Sequence, residues 1–186
     1  MPAEPALPRL IRPSDAVGTP PPAFSPLGKG AARFRRGLVV HALLAHLPDV
    51  APEKRRETAR VFVRGHCFAQ DAAEELVAET LAVLDDPQFA PVFAPGSRAE
   101  AGLLADLPQL GAGARVNGRI DRLAVTEDEV LIVDFKTNRP PPAREADVSP
   151  VYLAQMALYR AGAARIFPGR RIVCALVFTD GPRLLR

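Results

Sequence analysis

From Gly118 to Thr137 the chain reads GRIDRLAVTEDEVLIVDFKT. Two runs built mainly of Val, Ile, Leu and Phe flank the polar segment Thr126-Glu127-Asp128-Glu129, the signature of a β-hairpin. Upstream, residues 37–47 form a short, strongly apolar stretch broken by Pro48, which predicts a helix. A second helix is expected over 52–64, with Pro52 in its first turn and Gly65 at its end. Asp71 with Glu74 has the form of a capping box, opening a helix to about Leu84 that packs through Leu76, Val77, Thr80, Leu81 and Leu84. Downstream come a helical turn over 89–93, a strand over 98–107 and a glycine-containing turn over 108–113 that leads into the hairpin. Beyond the Pro-rich loop 139–147, Ser149 and Pro150 suit the N-cap and first position of a helix running to about Ile166. Residues 171–179 are almost continuously apolar, as in a strand buried on both faces.

The expected architecture is therefore α/β: N-terminal helices followed by β-β-β-α-β around a mixed central sheet. Residues 1–30, Pro-rich and without apolar periodicity, read as an extended arm outside the core, and 31–186 as one domain. A chain of 186 residues can bury a real core.

Composition narrows the setting. Net charge is +3 and the sequence pI about 9.2, a mildly basic balance that permits a polyanionic partner without demanding one. Two cysteines, Cys67 and Cys174, provide neither a disulfide framework nor zinc-ligand spacing, which suits a reducing cytosol. No apolar run reaches the roughly 18 residues of a membrane span, and the N-terminus lacks a signal peptide's apolar core, so a cytoplasmic protein is expected. Lys29, Lys54 and Lys136 are the only lysines among 24 Lys and Arg. A chain that uses Arg almost everywhere yet has Lys at 136 draws attention to that amine, because Lys, unlike Arg, can exchange a proton.

Chemistry concentrates in the hairpin. With an even loop centred between Glu127 and Asp128, residues whose numbers sum to 255 lie opposite each other, so Asp121 faces Asp134. Lys136 then shares a face with Asp134. Opposed like charges destabilise a ladder by up to about 1 kcal/mol, unless a cation sits between them or the strands diverge. Singly, these are ordinary residues: an isolated strand Asp is usually solvated, and D-x-K triplets are common. Together, two carboxylates and an amine set in apolar strands point to a metal site, and an odd loop would undo the register.

The motifs G-x-x-D-R at Gly118–Arg122, V-D-F-K-T at Val133–Thr137 and Q-M-A-L-Y-R at Gln155–Arg160 resemble the RecB-type nuclease branch of the PD-(D/E)XK superfamily. A fourth, R-G-x-x-x-H-x-L-L-x-x-L-P from Arg36 to Pro48, resembles the helix that supplies a metal-binding histidine there. Within that branch the likeness is to the C-terminal nuclease domain of AddA-type helicase-nucleases of bacterial double-strand-break repair, and it spans about Arg35 to the C-terminus.

The resemblance implies a restriction-endonuclease-like core and Mg2+-dependent cleavage of DNA, with Mn2+ a plausible substitute. It implies His41, Asp121, Asp134 and the Phe135 carbonyl as metal ligands, and Lys136 as the group that orients or deprotonates water. Gln155 and Tyr159 would stand beside the site, and an acidic residue on the preceding strand, Glu100, would approach it. His46 and His66 match nothing and read as structural.

The partners implied are a single-stranded DNA end, a helicase portion of the same polypeptide, an AddB-like subunit, and no membrane; the place implied is the bacterial cytoplasm at the nucleoid. A Walker A loop is absent, so the chain reads as a nuclease fragment without its motor, and an element beyond Arg186 is expected. An iron–sulfur cluster is excluded, since it needs four cysteine ligands. The rivals are a catalytically silent DNA- or partner-binding module of the same fold and a plain interaction domain whose carboxylates are solvated. The basic face of Lys54, Arg55, Arg56 and Arg60 reads as solvated.

Overall fold

The structure, a computed structural model, describes residues 9–15, 31–66 and 68–185. Cys67 and the remainder of the N-terminal arm lie outside the described residues. Six strands form one mixed sheet: β1 (Arg9–Ile11), β2 (Arg98–Asp106), β3 (Ala114–Val125), β4 (Glu129–Lys136), β5 (Arg171–Phe178) and β6 (Arg183–Leu185). Three helices precede β2: α1 (Ala31–His46), α2 (Pro52–Arg64) and α3 (Gln70–Asp85). The fourth, α4 (Pro150–Ile166), connects β4 to β5, and those two strands run parallel. This is the α/β architecture that the sequence predicts, helices first and then β-β-β-α-β around a mixed sheet, and it agrees with the core that the resemblance implies.

The long strand β3 organises the sheet. Most of its length pairs antiparallel with β2 on one side, from Arg115 opposite Asp106 to Leu123 opposite Arg98. Its other side pairs twice: with β1 at Ala114–Val116 and with β4 at Arg122–Val125. Between these pairings, residues 117–121 of β3 face a gap in the sheet. The turn is closed by the Thr126 N–H donating to the Glu129 carbonyl at 2.8 Å.

Two apolar layers sandwich the sheet. Val39, Val40, Leu43 and Leu44 of α1 and Leu76, Val77 and Leu81 of α3 pack with Leu131, Val133 and Phe135 of β4 on one face. Met156, Tyr159 and Ala163 of α4 pack with Val130 and Ile132 of β4 and Leu176 and Phe178 of β5 on the other. Alternation along β4 thus feeds both layers, which is why every residue from Val130 to Phe135 is buried and the strand reads as a continuous apolar run. Each fully buried aliphatic or Phe side chain contributes roughly 1.5–3 kcal/mol.

The structure departs from the sequence reading in several places. The arm is not wholly outside the core: Arg9–Ile11 adds a parallel strand to the sheet, and Pro13 is buried. A three-residue strand is too short to show alternation. α1 begins at Ala31, a full turn and more before the apolar stretch; Phe34 and Arg35, ahead of that stretch, are exposed and show no apolar face. The capping box does not form. α3 starts at Gln70 with Ala69 as N-cap and no side-chain cap, and Glu74 is drawn off to Arg60, whose Nε donates to it at 2.9 Å. Ser149 and Pro150 do open α4, but the Ser149 side chain makes no cap bond. β6 was not expected; it adds an antiparallel edge to β5.

Candidate active site

The ladder between β3 and β4 has the predicted register, with Arg122 opposite Val133 and Val125 opposite Val130. It stops at the first of these pairs. Asp121 and Asp134 come next in line, where the strands part, and this divergence spares the fold two carboxylates pressed together in a ladder. Alternation in β3 also breaks here. Ile120 and Leu123 face the α4 layer, whereas Ala124 belongs to the α1 layer and the Arg122 guanidinium lies 5.4 Å from the Phe93 ring in that layer. On the other side, the β2 ladder skips the pair of Glu100 with Asp121, and Glu100 has a positive φ of 52°. The irregularity of both neighbours is centred on Asp121.

Asp121 Oδ2 accepts the Phe135 backbone N–H at 2.8 Å and lies 3.4 Å from His41 Nδ1. His41 thus reaches the hairpin from α1, with its ring edge-on to that of Phe135. Burial pulls the His41 pKa down, but the hydrogen bond to Asp121 and the charges of Asp121 and Asp134 outweigh it and leave the imidazole above its ordinary value.

Asp134 is only 3% exposed. Its Oδ1 accepts Gln155 Nε2 at 2.9 Å, and Oδ2 lies 2.5 Å from Lys136 Nζ. Oδ2 is thus a buried oxygen held in an ion pair with that ammonium. Burial raises the Asp134 pKa, opposed by the Lys136 charge and reinforced by Asp121. Lys136 Nζ also donates to Gln155 Oε1 at 3.0 Å, so Gln155 bridges the carboxylate and the amine. Tyr159 lies four residues on. Its hydroxyl donates to the Arg119 carbonyl at 2.6 Å, on the open side of β3, and burial pushes its pKa up to about 12. Gly118 permits this approach: a Cβ there would stand 2.7 Å from Tyr159 Cε1 and 2.9 Å from Pro13.

Glu100 Oε2 lies 2.5 Å from Arg119 Nε. His46 is exposed, and His66 Nδ1 lies 2.9 Å from the Phe62 carbonyl. Arg55 and Arg60 of the basic face are bonded within the fold, to the Val50 carbonyl and to Glu74.

Sequence reasoning missed Tyr152, whose ring centroid is 4.1 Å from Lys136 Nζ and whose hydroxyl donates to Asn138 Oδ1 at 3.0 Å. A signal existed: 152, 155 and 159 lie on one helical stripe. It also missed the buried Glu79, an acidic residue interrupting the apolar face of α3. A cavity of about 440 Å3 between α4 and β5, lined by Met156, Cys174 and Leu176 among others, includes none of the clustered residues.

The donor chemistry suits a hard divalent cation: two carboxylates at a fork, one of them buried beside an amine, and a neighbouring imidazole. Among the described residues, no three of His, Cys, Asp or Glu form a preassembled cage. Magnesium does not require one, since it binds through one or two carboxylates and retains several waters.

Comparison with known proteins bears on this geometry. No curated protein matches the chain. A family model described as the PD-(D/E)XK nuclease superfamily matches residues 16–184. Members of that superfamily are generally nucleases and typically use divalent metals, and the nuclease fold makes DNA the substrate class. The match takes in both arms of the fork, the helix that carries His41 and the helix that carries Gln155, so the chain belongs to the PD-(D/E)XK nuclease superfamily.

Proposed function

We propose that this domain is a Mg2+-dependent deoxyribonuclease acting on single-stranded DNA. The observation that carries the reading is Asp134: a buried carboxylate ion-paired with the Lys136 amine, at the fork where Asp121 and His41 also arrive. Asp121, Asp134, His41 and the Phe135 carbonyl would hold the cation, and Mn2+ would substitute because one donor is nitrogen. Such an ion polarises a phosphoryl oxygen and makes water nucleophilic at neutral pH.

Lys136, held between Asp134 and Gln155, orients the attacking water and meets charge developing on the phosphate. Water oxygen bonds to phosphorus and gives up a proton, the phosphorus–oxygen bond to the leaving sugar breaks, and the leaving oxygen takes up a proton. Gln155 fixes amine and carboxylate together, while Tyr159 holds the open side of β3. Glu100, paired with Arg119, stays at the rim of the site.

The four motifs favour a place in an AddA-type helicase-nuclease of bacterial double-strand-break repair. In that setting a motor portion of the same polypeptide delivers the strand and an AddB-like subunit completes the enzyme, in the cytoplasm at the nucleoid. Residues 31–186 would be its nuclease domain and 1–30 the connecting arm. Engagement of the backbone rather than the bases suits such delivery. A silent binding module of the same fold is the alternative.

The test is cleavage of labelled single-stranded DNA with Mg2+, with Mn2+ and with EDTA, alongside Asp134→Ala. Metal-dependent cleavage, lost in a folded Asp134→Ala, supports the reading. DNA binding without cleavage under every condition supports the silent module.

A further inference from the structure

Glu79 of α3 is a carboxylate with only 5% of its side chain exposed, and the fork makes no use of it. An isolated buried carboxylate is strongly unfavourable, so its partners matter. They are Arg36 Nη2 of α1, Arg139 Nη2 at 2.8 Å from the loop after β4, and Thr179 Oγ1 just past β5. Two of these donors also grip the backbone where β4 ends. Arg36 Nη1 donates to the Thr137 carbonyl at 2.9 Å, and the Thr179 N–H donates to the Lys136 carbonyl at 3.0 Å. One buried carboxylate therefore connects, through one intermediary each, to two successive carbonyls beginning at Lys136.

We propose that Glu79 is a positioning residue for Lys136, clamping the end of β4 from the α3 side so that the amine stays on Asp134 and Gln155; this rests on the nuclease reading above. Lys136 is the last residue of β4, where a strand would otherwise fray. Fixing the carbonyls of residues 136 and 137 fixes the direction in which the Lys136 side chain leaves the strand. With the charge of Glu79 removed, Arg36 and Arg139 face each other without their shared counter-charge, and both links to the strand end loosen. Mere structural support would predict a general loss of stability. A clamp predicts a local one.

The experiment uses the full chain carrying Glu79→Gln, with Glu75→Gln as control, since Glu75 accepts Arg139 Nη1 at 2.6 Å but is an exposed carboxylate. Steady-state cleavage of labelled single-stranded DNA with Mg2+ is measured beside amide hydrogen exchange. The expected result for Glu79→Gln is a fall of about 100-fold in kcat with KM unchanged within about twofold. Exchange should quicken at the Thr179 amide and not at Ile132 in the middle of β4, and Glu75→Gln should behave as wild type.

Wild-type kcat with a protected Thr179 amide in Glu79→Gln overturns the proposal, as does exchange that quickens equally at Ile132. If Glu79→Gln does not fold, Thr179→Val removes the hydroxyl, which bonds Glu79 and also reaches the Lys136 carbonyl at 3.4 Å, and an unchanged kcat there overturns the proposal. If the wild-type chain itself does not cleave, the nuclease reading fails. The exchange comparison then decides the clamp by itself: selective loss at Thr179 supports it and retained protection overturns it.

Discussion

His41 shows how a single side chain reports the electrostatics of the fork. Its pKa in the folded chain is raised above the ordinary 6.5, the interactions with Asp121 and Asp134 outweighing burial. The protonated imidazole is therefore bound more tightly in the folded state than in the unfolded one. Its contribution to stability is fully present below the unfolded pKa and is lost as pH rises through the higher folded value. In metal-free buffer, the difference in melting temperature between wild type and His41→Gln should shrink as pH rises from about 5 to about 8. A difference that grows over that range would contradict the sign. Asp134 works in the opposite sense: its raised pKa means that ionising it costs the metal-free fold stability as pH increases. Comparing wild type with His41→Gln cancels most of that shared background.

At the scale of elements, the site depends on how closely α4 approaches the open side of β3. Tyr159 spans the gap to the Arg119 carbonyl, and Gly118 leaves room for its ring. Gly118→Ala places a methyl group within 2.7 Å of Tyr159 Cε1 and 2.9 Å of Pro13, both in buried residues. Overpacking of this kind costs about 1–3 kcal/mol, which denaturant unfolding should show as a shifted midpoint with an unchanged slope. Pairing Gly118→Ala with Tyr159→Leu should recover part of that loss, because the main clash is then relieved. If the double variant is no more stable than the sum of the two singles, the ring is not the obstacle.

For the whole molecule, the three-layer packing turns metal binding into a stability term. A cation that binds only the folded chain, at about 100 times its dissociation constant, adds roughly 2.7 kcal/mol. Each kcal/mol moves the midpoint of a chain this size by roughly 2–4 °C, so Mg2+ should raise the melting temperature by about 5–10 °C. Asp134→Ala should lose most of that increment. An equal rise in both proteins would place the ion elsewhere. None of the described helices is long and apolar enough to cross a membrane.

What the sequence determined by itself is local or periodic. The two-residue turn at Glu127 and Asp128 sets the hairpin register, and register follows from counting residues outward from a turn. The continuous apolar runs of β4 and β5 declare strands covered on both faces, and Pro52, Pro150 and Pro48 bracket helices. Asp121, Asp134 and Lys136 were legible because they interrupt such runs at positions the register brings together, and His41 and Gln155 through their motifs.

Only the tertiary structure decided the rest. β1 exists because β3 offers it an edge, and three residues hold no period of their own. The fork at Asp121 arises where β3 passes from one partner to another, a competition between strands far apart in sequence. Glu74 left its expected cap for Arg60, a residue of another helix. Glu79 meets Thr179 across 100 positions and Arg139 across 60, and no local pattern announces a buried charge whose partners arrive from that distance. Hydrophobic period and turn chemistry act between neighbours in the chain, whereas a buried carboxylate is stabilised by whatever the completed fold places against it.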